Sequence, residues 1–516
     1  MDPINTDPGS ELSHGLARGW LESCLSRHSQ SSGSRQLWMP TRLLKVSEVS
    51  GVRRLQLCQS EPGTVKPYAA LTYCWGGPQR VRALRNNIHQ HLVEIPIQDL
   101  PKTLRDAVDV TAGLGMAFLW VDSLCIIQDD DDDKNREIAN MSRVYTNAAV
   151  VIGAARAKTA EEGFLGPRMP PRSGGQEWAF QMRYRCPDGQ EGCVVFDPIC
   201  LAPKEPIHER AWTVQEHILA RRLLTYGTFQ TRWVCQCSDA ETSLVDGLWR
   251  EVDKNEGDIG YLQDLLRNLE AGTGGISEAA DLWDQIVSLH SHRQLGVPQD
   301  RLRSLAGVAD YFAEVVGLSR DDYVCGMWKT WLPQALLWQT SRFRASAPKD
   351  PLYIAPSWSW AAGNRAVGRG RCVLDDIHES FQCLECEVVL EDAQAPYGAV
   401  LSGHLKVRGL LLPAERGPFS PFINLSPAKG VGLINAYADP EGFINSTWAP
   451  RFLLCITCKN EDAHRIIQGL VLQEIEDGSR ISSFLRVGSF YSQAGGEKEN
   501  LLQLFRESGS KVITIL

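Results

Sequence analysis

The sequence predicts an α/β protein with a parallel-sheet core, a helical middle region and a β-rich C-terminal region. Three patterns in the 516 residues support this fold class. Continuous apolar runs alternate with helical patterns between residues 68 and 153, which is typical of a sheet buried on both faces. Apolar residues at helical spacing form an unbroken stripe over 302–316. After Pro356, short apolar segments separated by Gly and Pro turns indicate strands.

The N-terminal region, residues 1–36, is polar and rich in Ser and Gly. Within it, Leu16, Trp20 and Cys24 fall four residues apart, a spacing that places them on one face of a helix. We therefore expect a short amphipathic helix followed by a flexible linker.

The core is expected to contain a hairpin, then three parallel strands joined by two helices. Buried strands that alternate with helices form parallel sheets with right-handed connections. Thr103, with Asp106 three residues later, is expected to cap the first helix, and Gly115 to end it. The predicted hairpin is Leu43–Val46 with Val52–Leu57, the parallel strands are Pro67–Tyr73, Met116–Val121 and Ala149–Gly153, and the second helix covers about Lys134–Asn147.

These elements divide the chain into four regions. Residues 1–36 form the N-terminal helix and flexible linker, and residues 37–235 form the α/β core. Residues 236–365 form a helical region packed on the core, and residues 366–516 form the β-rich C-terminal region. The 15 tryptophans gather mainly in the core and the helical region, where large amphipathic rings typically fill packing seams.

The composition argues against several classes of protein. The chain carries 53 Lys and Arg against 62 Asp and Glu, and this net charge of −9 argues against non-specific nucleic-acid binding. No apolar run approaches the ~20 residues that span a bilayer, and the N-terminus lacks the pattern of a signal peptide. We expect a cytoplasmic protein whose 15 cysteines are thiols rather than disulfides.

Polar segments follow the predicted parallel strands, at the edge where sheets of this kind bind ligands. They are Tyr73–Gly77, Asp122–Asp129 and the turn after Gly153 that runs through Arg156. A carboxylate, a thiol, an amide and an indole would then surround one cleft. Two interpretations stay open: the cleft binds a nucleotide or another polar small molecule, or the same residues only cap, pack and fill the fold.

The sequence indicates no metal site. Cys383–Cys386 and Cys455–Cys458 have zinc-knuckle spacing, but about 70 residues separate the two pairs, far more than in a typical zinc module. Asp129–Asp133 lacks the spaced ligands of a calcium loop. Because the helix dipole favours acidic residues in a first turn, we expect this run to be a solvated helix start.

Several blocks resemble the fungal heterokaryon incompatibility (HET) domain in order and spacing. The resemblance covers about residues 37–365 and weakly beyond. The blocks are Tyr68–Gly76 (YAALTYCWG), Leu100–Ala107 (LPKTLRDA), Leu119–Asp130 (LWVDSLCIIQDD), Met141–Ala149 (MSRVYTNAA), Glu209–Glu216 (ERAWTVQE), Asp300–Gly307 (DRLRSLAG) and Ala355–Ala361 (APSWSWA).

The resemblance implies a fungal protein of non-self recognition and programmed cell death that acts through a protein partner or a small-molecule ligand. A proposed distant relation of HET domains to Toll/interleukin-receptor (TIR) domains, some of which cleave NAD⁺, implies a flavodoxin-like core. NAD⁺ would then be a substrate, and no other cofactor is implied. Cleavage needs a carboxylate near the ribose, for which Asp122 and Glu216 are candidates, with Trp75 or Trp212 stacking on the base or nicotinamide. The chain has no clear copy of the catalytic-helix motif of active TIR enzymes.

A third hypothesis is a HET-like enzyme that modifies a small molecule in a biosynthetic pathway. Its acid–base chemistry would use the edge formed by Asp122, Cys125 and Gln128. Taken together, the candidate catalytic residues are Asp122, Glu216 and Cys125, and the candidate ligand-binding residues are Trp75, Gly76, Gln128 and Trp212.

Overall fold

The computed structural model divides the chain into two compact units, Met1–Arg267 and Asn268–Leu516. The residues that the structure describes are 5–27, 38–61, 63–168, 172–173, 176–177, 180–185, 189, 191–196, 204–236, 244–247, 259–340, 353–363, 365–368, 376–416, 422–424, 434–438, 451–461, 464–475, 482–494 and 500–516. The predicted linker before residue 37 lies largely outside them.

The first unit combines a large mixed sheet with helices. Its strands are β1 (Arg42–Val49), β2 (Val52–Gln59), β3 (Ala69–Thr72), β4 (Phe118–Trp120), β5 (Val150–Gly153), β6 (Arg172–Ser173), β7 (Gln176–Glu177), β8 (Phe180–Arg185), β9 (Glu191–Phe196), β10 (Arg222–Tyr226), β11 (Thr231–Cys235) and β12 (Leu244–Val245). Its helices are α1 (Glu11–Arg27), α2 (Ile88–His91), α3 (Lys102–Gly113), α4 (Asp122–Cys125), α5 (Asp131–Ala139), α6 (Met141–Asn147), α7 (Trp212–Ile218) and α8 (Ile259–Glu270), which reaches the unit boundary.

The main sheet has eight strands in the order β12-β11-β10-β5-β3-β4-β1-β2. Its four central strands, β10, β5, β3 and β4, run parallel to one another, and β4 pairs antiparallel with β1. Antiparallel pairs flank them, β1 with β2 on one side and β10 with β11 on the other. The strands β3 and β5 are buried along their whole length, which explains their continuous apolar sequences. The predicted α/β class with a parallel-sheet core is therefore confirmed.

The predicted hairpin is also confirmed, and its turn explains its register. Ser50 and Gly51 both have positive φ, 53° and 75°. Two such residues form the type I′ turn whose twist matches that of paired strands. Val49 then lies opposite Val52, and the pairing continues to the strand ends.

The predicted cap of α3 is wrong in one respect. The helix begins at Lys102 after Pro101, so Thr103 lies inside its first turn. The Thr103 hydroxyl instead donates to the carbonyl of Thr159 at 3.1 Å, and the Asp106 carboxylate accepts from the backbone N–H of Phe164 at 2.7 Å. Both side chains therefore fix the loop that follows β5 rather than the helix end. Gly115, with φ of 74°, follows the helix end as predicted.

The acidic run at the start of α5 is only partly solvated. Asp130 caps the helix by accepting from the Asp133 N–H at 3.1 Å. Asp133, however, is 3% exposed and forms a 2.5 Å ion pair with Arg42, itself 6% exposed. A buried carboxylate requires such a partner because an unpaired charge is costly to remove from water. The prediction of a fully solvated run is therefore wrong at Asp133.

Helix α1 is present, but it buries a different face from the predicted one. Its buried residues are Ser13, Ala17, Leu21 and Cys24, whereas Leu16 is 42% exposed. Two of the buried residues are small, so the helix lies close to the surface that it covers. The single predicted helix over 134–147 is likewise two helices, α5 and α6, which meet at Asn140.

The second unit contains helices followed by a large antiparallel sheet. The helices are α9 (Ile276–Ser291), α10 (Ala306–Val316), α11 (Leu332–Ala335) and α12 (Asn500–Ser508). The strands are β13 (Tyr323–Val324), β14 (Met327–Trp328), β15 (Gln339–Thr340), β16 (Val367–Gly368), β17 (Gln382–Leu390), β18 (Val400–Arg416), β19 (Phe422–Asn424), β20 (Ile434–Ala438), β21 (Arg451–Glu461), β22 (His464–Ile475), β23 (Ser483–Ala494) and β24 (Ser510–Ile515).

The C-terminal sheet confirms the predicted β-rich region. Its strands follow the order β17-β18-β19-β20-β23-β22-β21. The last strand in this order, β21, also pairs with the second, β18. Helix α12 packs against the sheet, where Leu501 and Phe505 join the same buried cluster as Leu453 and Phe490. Among the described residues, no helix is both long and apolar enough to cross a membrane.

Tryptophans hold the short hairpin β13–β14. Cys325 and Gly326 form its turn, with φ of 49° and 91°. The indole N–H groups of Trp283 and Trp360 both donate to the carbonyl of Gly326, at 3.0 and 2.9 Å. A Cβ atom at Gly326 would lie 2.5 Å from the Trp360 indole nitrogen, so this position requires glycine for both conformation and space.

The buried imidazole of His290 should make the stability of the chain depend on pH. Burial lowers the pKa of His290 to about 3, and the charges of Arg301 and Arg293 act in the same direction. The pKa of a histidine in the unfolded chain is about 6.5. Between about pH 3 and about pH 6.5 the unfolded chain therefore binds one more proton than the folded chain. The stability associated with the neutral His290 is fully present above about pH 6.5, and it is lost by about 1.4 kcal/mol per pH unit as the pH falls below that value.

We expect His290→Gln to reduce this slope by about 1.4 kcal/mol per pH unit below about pH 6.5. Urea unfolding followed by tryptophan fluorescence at several pH values measures it. His292, exposed two residues further along the chain, provides the matched control variant, His292→Gln. Equal slopes in the wild type and His290→Gln would contradict the assignment.

Candidate functional site

The carboxyl ends of β3 and β4 and the helix α7 bring charged side chains together. Trp75 lies three residues after β3, and Asp122 lies two residues after β4. Helix α7 places Glu216 against the end of β3, where the Thr72 hydroxyl donates to its carboxylate. The predicted meeting of segments at one sheet edge therefore includes a fourth element, α7, that approaches from a distant part of the sequence.

Asp122 is a half-buried carboxylate with several donors. The indole N–H of Trp75 donates to its Oδ2 at 2.9 Å, and the backbone N–H of Ser123 donates to its Oδ1 at 2.6 Å. Burial raises the pKa of Asp122, while the positive charge of Arg210 and these hydrogen bonds oppose the shift. The pKa of this carboxyl group is therefore raised overall, a perturbation that is common among residues of functional sites.

Arg210 is the cation of the site. Its guanidinium donates to the carbonyl of Tyr73, at the end of β3. Burial lowers the pKa of Arg210, but the charges of Glu216 and Asp122 outweigh this effect, so its pKa is raised overall. The guanidinium therefore compensates two carboxylates at once, and Glu216, at 3% exposed, depends on such compensation.

Asp122, Arg210 and Glu216 form a charged cluster, and two phenols line it. The Tyr73 hydroxyl lies 3.0 Å from the Ser123 hydroxyl, and the Tyr145 hydroxyl donates to the carbonyl of Leu71 at 3.2 Å. Burial raises the pKa of both phenols well above the usual value, and the charge of Asp122 adds to this shift. Both therefore remain neutral hydrogen-bonding groups at physiological pH.

The loop after β3 is fixed in position. The carbonyl of Trp75 accepts from the Gln79 amide at 2.9 Å and from the Ala160 N–H at 3.2 Å. Gly76 has φ of 70°, and a Cβ atom there would lie 2.4 Å from Cβ of Thr159. Gly76 therefore allows close contact with the loop after β5, and the Trp75 ring stays half-exposed beside Asp122.

The other predicted site residues have different surroundings. The amide of Gln128 donates to the carbonyls of Asp122 and Ile126, both at 3.1 Å, so it stabilises the turn around α4. Trp212 is half-buried at the first position of α7. Cys125 is fully buried, and Arg42 donates to its carbonyl at 2.6 Å. The structure therefore brings Trp75, Asp122 and Glu216 together around Arg210 and turns Cys125 into the core.

Arg210 and Tyr73 are site residues that the sequence did not single out. Both lie within the HET-like blocks, where Tyr73 stands two residues before Trp75 and Arg210 two residues before Trp212. An arginine among acidic residues is usually a surface ion pair of little consequence. Its importance here depends on burial and on two carboxylates that approach from other segments.

One group of residues in the described part of the chain has the proximity needed for a metal ion. Glu385, Glu387 and His404, on β17 and β18, place one ligand atom each within 4.8 Å of one another. Lys406 already forms a 3.4 Å ion pair with Glu385 and lowers the pKa of that carboxyl. A bound cation would have to compete with this lysine, so we assign no metal to the group.

Comparison with known proteins identifies the class of domain that carries the charged cluster. Residues 68–216 match the family described as heterokaryon incompatibility protein (HET). Residues 68–216 therefore carry a HET domain. No curated protein and no solved structure matches the chain.

The thiols of Cys125 and Cys74 should be inert in the folded protein. Burial raises the pKa of Cys125 to about 12 and that of Cys74 to about 11, so about one part in ten thousand or less of Cys125 is thiolate near pH 8. When the folded protein is labelled with iodoacetamide and analysed by mass spectrometry, half-buried Cys58 should be modified before Cys125 and Cys74. Labelling of Cys125 as fast as Cys58 would instead reveal an accessible nucleophile.

Proposed function

We propose that this protein is a cytoplasmic effector of fungal non-self recognition whose engagement triggers programmed cell death. The observation that carries the proposal is the extent of the HET match, which begins beside β3 and ends at Glu216. This segment contains every residue of the charged cluster. The part of the chain that resembles the family is thus the part that assembles the cluster.

The topology around the cluster supports a binding function. Numbered along the chain, the parallel strands β4-β3-β5-β10 stand in the order 2-1-3-4, as in flavodoxin-like folds, including the TIR class. Ligands of such sheets bind at the carboxyl ends, beside the point where strand order reverses. Here that point lies between β3 and β5, where Trp75 and Gly76 meet the loop after β5.

The hydrogen bonding favours recognition over chemistry as the primary activity. Asp122 and Glu216 already have donors, and Arg210 compensates their charge. The half-buried side chains of Trp75 and Trp212 would supply the surface that a protein partner or a small-molecule ligand contacts. Aromatic side chains of this kind dominate binding energy at interfaces.

Induced expression in a fungal host tests this proposal. We expect the wild type to arrest growth and Trp212→Ala to abolish the arrest, because the ring supplies contact area at the proposed surface. Glu209→Ala, an exposed neighbour on the preceding turn, is the control and should retain arrest. Equal arrest by all three proteins at equal abundance would contradict the recognition surface.

A second candidate function is the cleavage of NAD⁺, favoured by the two carboxylates beside an indole at this edge. Hydrolysis breaks the bond between ribose and nicotinamide, and water adds to the ribose to give ADP-ribose, nicotinamide and a proton. A carboxylate stabilises the positive charge that develops on the ribose. Glu216 or Asp122 would supply it, with Trp75 or Trp212 stacking on the nicotinamide.

Loss of NAD⁺ in the presence of purified protein measures this activity directly. If the cluster is catalytic, Glu216→Gln and Asp122→Asn should each lower the rate by about 10²-fold or more, since an amide cannot provide the charge. Glu209→Gln and Asp131→Asn, both at exposed positions, are the matched controls. Unchanged NAD⁺ with folded wild-type protein would exclude hydrolysis while leaving the recognition proposal intact.

The third hypothesis, a tailoring enzyme, finds no support in the geometry of its own residues. It relied on Asp122, Cys125 and Gln128 acting together, yet the Gln128 amide is engaged with backbone carbonyls and Cys125 is buried.

A further inference from the structure

Two cysteines that are far apart in the sequence meet at their sulfur atoms. The Sγ atoms of Cys24 and Cys235 lie 3.1 Å apart, and both side chains are buried. A disulfide bond is about 2.05 Å long, so both groups are thiols that need to approach by about 1 Å to bond. The charged cluster uses neither residue.

The pair joins the N-terminal helix to the main sheet. Cys24 lies in the last turn of α1, which ends at Arg27, and Cys235 is the last residue of β11. The buried stripe of α1 is narrow and includes the small side chains Ser13 and Ala17. A covalent bond at Cys24 would therefore add a strong attachment where the helix has few large apolar contacts.

Arg222 provides a chemical reason for reactivity at this position. It lies directly opposite Cys235 in the pairing of β10 with β11, and its Nε donates to the Sγ of Cys24 at 3.1 Å. A positive charge beside a sulfur favours the anionic form, which is the nucleophile in thiol oxidation. The arginine thus orients and activates the sulfur that faces its partner.

We propose that Cys24 and Cys235 form a reversible disulfide that locks α1 onto β11 when a peroxide oxidises the protein. The Cys24 thiolate attacks one peroxide oxygen, which breaks the O–O bond and gives a sulfenic acid and hydroxide. The Cys235 sulfur then attacks the sulfenic sulfur and displaces its hydroxyl group. Two thiols and one hydrogen peroxide become one disulfide and two waters, and a small dithiol reverses the reaction.

Fraying of the helix end admits the oxidant. The residues that follow Cys24, Leu25 to Arg27, are exposed, and the last carbonyls of a helix have no partners within it. Opening of this single turn would expose Cys24 to peroxide, and its closure would return the sulfur to Arg222 and Cys235. The same opening becomes impossible once the disulfide has formed, so oxidation traps the docked helix.

Peptide mapping of the full chain tests the proposal. Reduced protein is treated with hydrogen peroxide, quenched with iodoacetamide and digested without reductant. We expect a Cys24–Cys235 cross-linked peptide that disappears with dithiothreitol, is absent from Cys24→Ser and is retained in Cys58→Ser. Modification of other cysteines without this peptide, or linkage of Cys24 mainly to another cysteine, would overturn the proposal.

Two further measurements separate a specific bond from incidental oxidation. Arg222→Gln should slow formation of the cross-link several-fold, whereas Arg232→Gln, on β11, should not. Oxidation should raise the Tm of the wild type by several degrees and leave that of Cys24→Ser unchanged. An equal rate of cross-linking in Arg222→Gln and in the wild type would contradict the activating role of Arg222. An unchanged Tm of the wild type after oxidation would contradict the locking of α1 onto β11.

Discussion

The charge of Arg210 is the interaction on which the candidate site depends. At one edge of the parallel sheet, the segment after β4 supplies the half-buried carboxylate of Asp122, and α7 supplies the buried carboxylate of Glu216. Without a cation between them, desolvation and mutual repulsion would favour protonation of one carboxyl group or separation of the segments. The guanidinium also donates to the backbone of β3. A single side chain therefore fixes the electrostatic and the structural state of this edge together.

The secondary structure of the core could be predicted from sequence because its strands are buried on both faces. Runs such as Val150–Gly153 contain only residues suited to that environment, and the turn at Ser50 and Gly51 follows from local backbone preferences. These features depend on residues that are adjacent in the chain. The same locality explains why the hairpin and the parallel strands were predicted within a few residues.

Apart from the face of α1 and the break at Asn140, the errors concern side chains whose partners are distant in sequence. Thr103 and Asp106 have the pattern of a cap, yet they bind the loop after β5. Asp133 resembles its solvated neighbours but is paired with Arg42, about ninety residues away. Asp122, Glu216 and Trp75 were candidates because of their chemistry, but Arg210, the cation that interacts with both carboxylates, could be recognised only when the segments were brought together. Sequence patterns record local propensity, whereas these contacts are tertiary.

The contact of Gly76 with Thr159 has a consequence for movement at the sheet edge. Because backbone at one loop lies directly against a side chain of the other, neither loop can be displaced alone without opening a gap or causing a collision. The loop after β5 is in turn anchored to α3 by Thr103 and Asp106. A shift of the loop after β5 would therefore alter its contact with Gly76 and its hydrogen bonds to α3 at the same time.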